Sequence, residues 1–67
     1  MNHVREYRKK QHISQMELAK RIGVARQTIN LIENDKYNPS LDLCLNLAHE
    51  LGTDLNSLFW DGDVNHE

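Results

Sequence analysis

The chain has 67 residues, eight Lys and Arg against ten Asp and Glu, and a formal net charge of −2, so it holds one small domain and not two. A domain of this size buries only about 60% of the surface its unfolded form exposes, and it depends on a well-patterned core, a staple or a partner subunit. A lone cysteine, Cys44, excludes an intrachain disulfide, and four scattered histidines stand at no zinc-ligand spacing, so no metal or other cofactor is expected. From Asn2 to Gln11, Val4, Tyr7 and Arg8 recur at helical spacing among charges, which predicts a short amphipathic helix with cations in its last turn, at the negative end of the helix dipole. Ser14-Gln15-Met16-Glu17 reads as a capping box: the Ser14 hydroxyl accepts from the third helical N–H while Glu17 reaches back. The second helix it opens buries Leu18, Ala19 and Ile22 and stops at Gly23.

A third helix begins two or three residues later, near Arg26, with Ile29 and Ile32 on its inner side and Glu33 ending the run. Two helices joined by so short a glycine-containing turn must cross steeply, as in a helix-turn-helix unit. Asn34 to Pro39 reads as a loop, because proline and the Asn/Asp cluster favour turns. Ser40 caps a fourth helix, from Leu41 to Leu51. Its apolar positions Leu41, Cys44, Leu45, Leu47, Ala48 and Leu51 cover more than one stripe, so it is expected to be the central, most buried helix, ending at Gly52. Asp54 caps a last short helix through Phe59. The expected fold class is all-α, with one domain over 1–60 and a frayed acidic tail over 61–67.

Charge is uneven along the chain. Every Lys and Arg lies at or before Lys36, where eight basic residues meet four acidic ones; from Tyr37 onward there are six acidic residues and no basic one. A basic half joined to an acidic half is a footprint of a nucleic-acid binder whose far end points away from the polyanion. Chance clustering on a solvated helical surface is the plainer alternative. No apolar run approaches the roughly 18 residues of a membrane span, and there is no apolar N-terminal signal segment, so a cytoplasmic location is expected.

The run SQMELAKRIGVARQTINLIE at Ser14 to Glu33 resembles the helix-turn-helix of the phage repressor and Cro-type regulators, and NDKYNPSLDLCLNLAHELGTDLNSLF continues the likeness. It covers about residues 4 to 59. The resemblance implies a five-helix, lambda-repressor-like DNA-binding domain. It implies that the third helix, about residues 25–33, enters the major groove of double-stranded DNA. Arg26, Gln27, Thr28 and Asn30 then face the groove, and Gln15 meets phosphate. Arg donates twice to guanine O6 and N7, Gln pairs with adenine N6 and N7, and the Thr28 methyl suits a thymine methyl. Lys36 and Tyr37, in the following loop, are candidates for phosphate contact, Tyr37 equally for packing.

By the same likeness Arg8 pairs with Glu33. Ala25 stands where many relatives carry a Ser or Thr cap, so the third helix starts less firmly, by about 1 kcal/mol. His12 stands where relatives often have Gly, which implies a left-handed residue.

Leu55, Leu58, Phe59 and Trp60 exceed what a short terminal helix needs for docking, so they are expected at the interface of a homodimer that places two recognition helices on a palindromic operator, the plainer alternative being that they only cap a small core. The expected function is a transcriptional repressor. The alternative is an antitoxin or interaction module with a protein partner, whose DNA binding is only autoregulatory. No Ser-His-Asp, Cys-His, paired-carboxylate or phosphate-loop arrangement is present, so catalysis is not expected.

Overall fold

Three short polar side chains decide where helices begin. The side-chain oxygens of Ser14, Ser40 and Asp54 accept from the amides of Glu17, Leu43 and Ser57 at 2.9, 3.2 and 2.7 Å. Each satisfies one of the amides that a helix start leaves without a carbonyl. In the computed structural model, which describes residues 2–60, the resulting elements are α1 (Val4–Lys10), α2 (Gln15–Ile22), α3 (Arg26–Glu33), α4 (Leu41–Glu50) and α5 (Leu55–Phe59). The all-helical class follows the sequence reading. The acidic tail expected over 61–67 lies outside the described residues. The first helix is shorter at both ends than its pattern suggested. Asn2 remains outside it as a clasp: its side-chain Oδ1 accepts from Val4 N at 3.0 Å while Nδ2 donates to Ile32 O at 2.6 Å and Asp35 Oδ1 at 2.8 Å.

The capping box is only half formed. Ser14 makes its bond, but the Glu17 carboxylate turns to Arg21 at 3.0 Å, and Arg21 also reaches Glu50 on α4 at 3.3 Å. Glu17 thus helps to join α2 to α4 through a charge-assisted bond, which outcompetes a local backbone amide.

One device ends α1, α2, α3 and α4. A left-handed residue follows each helix: His12 at φ 59°, Gly23 at 78°, Asp35 at 57° and Gly52 at 69°. The next amide then turns back to the carbonyl five residues earlier, from Ile13 to Arg8, Val24 to Ala19, Lys36 to Leu31 and Thr53 to Ala48, at 3.4, 2.9, 2.8 and 2.9 Å. This closure satisfies carbonyls the helix end would leave open. Glycine adopts it without strain, whereas an L side chain pays about 1–2 kcal/mol. Replacing His12 by glycine is therefore expected to raise stability by about 0.5 kcal/mol, because the relief of strain exceeds the extra freedom gained by the unfolded chain. Urea unfolding should show a higher midpoint at unchanged slope, and a lower midpoint would contradict it.

All five helices supply the core: Val4 from α1, Leu18 and Ala19 from α2, Ile29 and Ile32 from α3, Leu47 and Ala48 with the capping Leu51 from α4, and Leu58 from α5. Two expectations need correction. The fourth helix is not the most buried, for Leu41 and Leu45 are 66% and 47% exposed. It packs on α2 and α5, which cover one side of it and leave the other side open. Leu58, expected at a subunit interface, is 0% exposed within its own chain and forms part of that chain's core. Leu55 and Phe59 are half-buried against the core, and Trp60 remains 55% exposed. Among the described residues no helix is long and apolar enough to cross a membrane.

Candidate nucleic-acid interface

The turn between α2 and α3 is only Gly23-Val24-Ala25, so the start of α2 and the length of α3 lie against each other. Helical geometry then sorts α3 by face. Ile29, Ile32 and Glu33 are buried, Arg26, Gln27 and Asn30 are exposed, and Thr28 and Leu31 lie between. Ala25 has extended backbone and makes no side-chain cap, so no side-chain oxygen covers the first amides of α3. That first turn also has no acidic residue. The positive end of the helix dipole therefore adds to the Arg26 guanidinium rather than being cancelled beside it.

Under this face lies a buried charge cluster. Arg8 places Nε 2.7 Å from Glu33 Oε2 and Nη2 3.3 Å from Oε1, while its Nη1 donates to Ile13 O at 2.9 Å. The pair expected by resemblance is thus present, with side chains 10% and 0% exposed. The sequence reading missed two further partners of Glu33. Arg5 Nε reaches Oε1 at 3.2 Å, and Gln15 Nε2 reaches it at 3.0 Å. Arg5 stands one turn before Arg8 on α1, a spacing of three that could have flagged it. Burial by itself pushes the Glu33 carboxyl up, but the bonds from Arg8, Gln15 and Arg5 outweigh it and hold the group below the ordinary carboxylate value. Among the described residues every buried side-chain nitrogen and oxygen has a hydrogen-bond partner.

Gln15, Arg26 and Asn30 come together at the surface of this cluster. Gln15 Nε2 also lies 3.2 Å from Asn30 Oδ1, and Arg26 Nη1 donates to Gln15 Oε1 at 3.2 Å. Gln27 and Thr28 flank them on α3. Lys36 and Tyr37 stand apart from that group, exposed in the α3–α4 loop, where they line an open hollow of about 450 Å³ with Asn2, Asp35, Asn38, Pro39 and Phe59. The cations differ in availability. Arg5 and Arg8 are paired with Glu33, and Arg21 with Glu17 and Glu50. Arg26 bonds only a neutral amide, so its charge remains uncompensated by any ion pair among the described residues.

A five-helix domain whose second and third helices meet across a three-residue turn, with a polar and cationic third helix turned outward, defines a helix-turn-helix protein. Residues 4–58 match the family described as Helix-turn-helix, and the chain belongs to it. It is 43% identical over 56 residues to a protein named an uncharacterized HTH-type transcriptional regulator from Archaeoglobus fulgidus, covering 84% of this chain and 79% of that one. A protein of the same description from Methanocaldococcus jannaschii is 41% identical over 58 residues, covering 87% and 88%. Among solved structures, the hypothetical transcription factor NHTF from Neisseria superposes with a TM-score of 0.75 at 28% identity; the match covers 81% of this chain and 61% of that longer one. The protein is a DNA-binding transcriptional regulator of the helix-turn-helix family.

Proposed function

We propose that the chain is a sequence-specific, homodimeric repressor that lays α3 in the major groove of a palindromic operator and thereby occludes a promoter. The observation that carries this reading is the outward, uncompensated face of α3, where Arg26, Gln27 and Asn30 are exposed beside half-buried Thr28. These side chains match the donor and acceptor pattern of the groove edge: Arg for guanine, Gln or Asn for adenine, and the Thr methyl for thymine. Lys36 and Tyr37 in the loop after α3 are assigned to phosphate, which sets position rather than sequence. One such module reads few base pairs, and a two-fold dimer that places two copies of α3 about one helical turn apart supplies the rest. Trp60, exposed at the end of α5, is the aromatic side chain assigned to that interface, with half-buried Leu55 and Phe59 beside it.

Selection of purified protein on a random duplex library, followed by anisotropy at two salt concentrations, tests the reading. Enrichment of a palindrome with half-sites about 10 base pairs apart is expected, with affinity falling steeply as salt rises. Arg26→Ala and Gln27→Ala should each weaken binding to that site by about 5- to 150-fold, the range of 1–3 kcal/mol for a good base contact. Folded wild-type protein that enriches nothing at low salt would overturn it.

A further inference from the structure

Asn2 stands just before α1, and both ends of its side-chain amide are engaged. Its Oδ1 accepts from Val4 N at 3.0 Å, and the two N–H groups of Nδ2 meet Ile32 O at 2.6 Å and Asp35 Oδ1 at 2.8 Å. These three partners fix which way the amide faces. A carbonyl and a carboxylate accept and a backbone amide donates, so a flip would set oxygen against oxygen at Ile32 and Asp35 and N–H against N–H at Val4. Next to it, His3 N donates to Leu58 O at 2.7 Å, which ties the same stretch to α5.

What the clasp holds is the exit from α3. Asp35 has φ 57°, a conformation that strains an L residue and that glycine adopts freely. Lys36 follows directly, and its amide reaches back to Leu31 O at 2.8 Å only while Asp35 keeps that turn. A strained turn persists where its surroundings over-determine it. Asn2 supplies part of that hold from the start of α1, on the Asp35 carboxylate and on the Ile32 carbonyl near the end of α3. Arg5 supplies another part, with Nη2 3.3 Å from Asn34 Oδ1. Asn2 also lines the open hollow whose wall includes Lys36, Tyr37 and Asn38.

The geometry points to Asn2 as a positioning residue for the phosphate contact of Lys36: by holding Asp35 in its left-handed turn, it fixes where the loop after α3 delivers that cation. This rests on the reading that α3 and its following loop bind DNA. The two tasks on that face are then separate. Base readout belongs to the outward side chains of α3, whereas Asn2 sets a part of the affinity that every sequence shares. A loop already ordered in the free protein loses less freedom on binding, so opening the clasp weakens binding without changing preference.

The test reads affinity by anisotropy for the selected operator and for an unrelated duplex, at a temperature where circular dichroism shows each variant folded. Asn2→Leu removes all three bonds at similar size and unchanged net charge. It should weaken binding to both duplexes by about fivefold, leave their ratio unchanged and make the salt slope shallower by about one. In a Lys36→Ala background it should add no further loss. Asn2→Asp is the second variant. It keeps an oxygen for Val4 N, so the start of α1 stays capped, while another oxygen turns toward Ile32 O and the Asp35 carboxylate. Its loss should likewise shrink once Lys36 is replaced.

For the hold itself, nitrogen relaxation in the free protein should show the Lys36 and Tyr37 amides more mobile in Asn2→Leu than in wild type. Loop amides equally ordered in both, an unchanged affinity, or a loss that persists in full without Lys36 would each overturn the positioning role while leaving DNA recognition by α3 intact. A loss confined to the operator would overturn it too, by placing the effect on base readout. Wild-type protein that binds neither duplex at low salt would remove the DNA reading first, and this proposal with it.

Discussion

Replacing Arg8 or Glu33 by alanine is expected to destabilise the domain by about 3–5 kcal/mol, the cost of leaving one member of a buried ion pair without the other. A small domain has total stability of roughly 5–15 kcal/mol, so either variant should sit near or beyond its unfolding threshold at room temperature. The two need not be equal. Glu33→Ala strands Arg8 with the Ile13 carbonyl as its remaining partner, whereas Arg8→Ala leaves Glu33 still bonded by Arg5 and Gln15. Glu33→Ala should therefore be the worse of the pair. Thermal unfolding followed by circular dichroism checks the order, and a loss below about 1 kcal/mol in both would show that the cluster behaves as a surface pair.

The same cluster gives stability a pH dependence of definite sign. The folded Glu33 carboxyl lies below its ordinary value of 4.5. The unfolded chain therefore binds a proton there at a pH where the native state still resists it. The contribution is full above the ordinary value and is lost as pH falls from there through the lower folded value. Asp54 is also held below its ordinary value of 3.8, by the backbone and side-chain bonds it accepts from Ser57, and acts in the same direction. Acid sensitivity should thus be reduced, but not abolished, in a folded Glu33→Gln variant.

Local features of the fold were legible in the sequence where one residue type does one job. Ser14, Ser40 and Asp54 each have a short side-chain acceptor immediately before an apolar run, and each caps its helix. Gly23 and Gly52 mark left-handed stops for the same reason, and the resemblance found His12 as the residue forced into that conformation. Asp35 escaped notice because aspartate has several uses in loops, and its left-handed turn depends on the amide of Lys36 finding the Leu31 carbonyl. The candidate site divides in the same way. Spacing alone faces Arg26, Gln27 and Asn30 outward, since Ile29 and Ile32 must go in. Nothing in the spacing says which end of the Gln15 amide faces Glu33, because that is decided by a carboxylate 18 positions away in the chain.

The fourth helix offers the second large effect together with its own control. Leu47 is 0% exposed and Leu45 is 47% exposed, two positions apart on the same helix. Leu47→Ala should cost about 2–5 kcal/mol through lost transfer energy and an incompletely collapsed cavity. Leu45→Ala should change stability by no more than about 0.5 kcal/mol in the monomer. The sequence alone could not separate them, because leucines on every side of a helix specify no single buried face; the side chosen is the one that α2 and α5 cover. Urea midpoints at low protein concentration make the comparison, and equal losses would mean that Leu45 is covered in solution. Repeating the melts over a hundredfold range of concentration then separates two causes. A concentration-dependent loss would place Leu45 in a subunit contact, since association stabilises by mass action. A concentration-independent loss would place it in the core of its own chain.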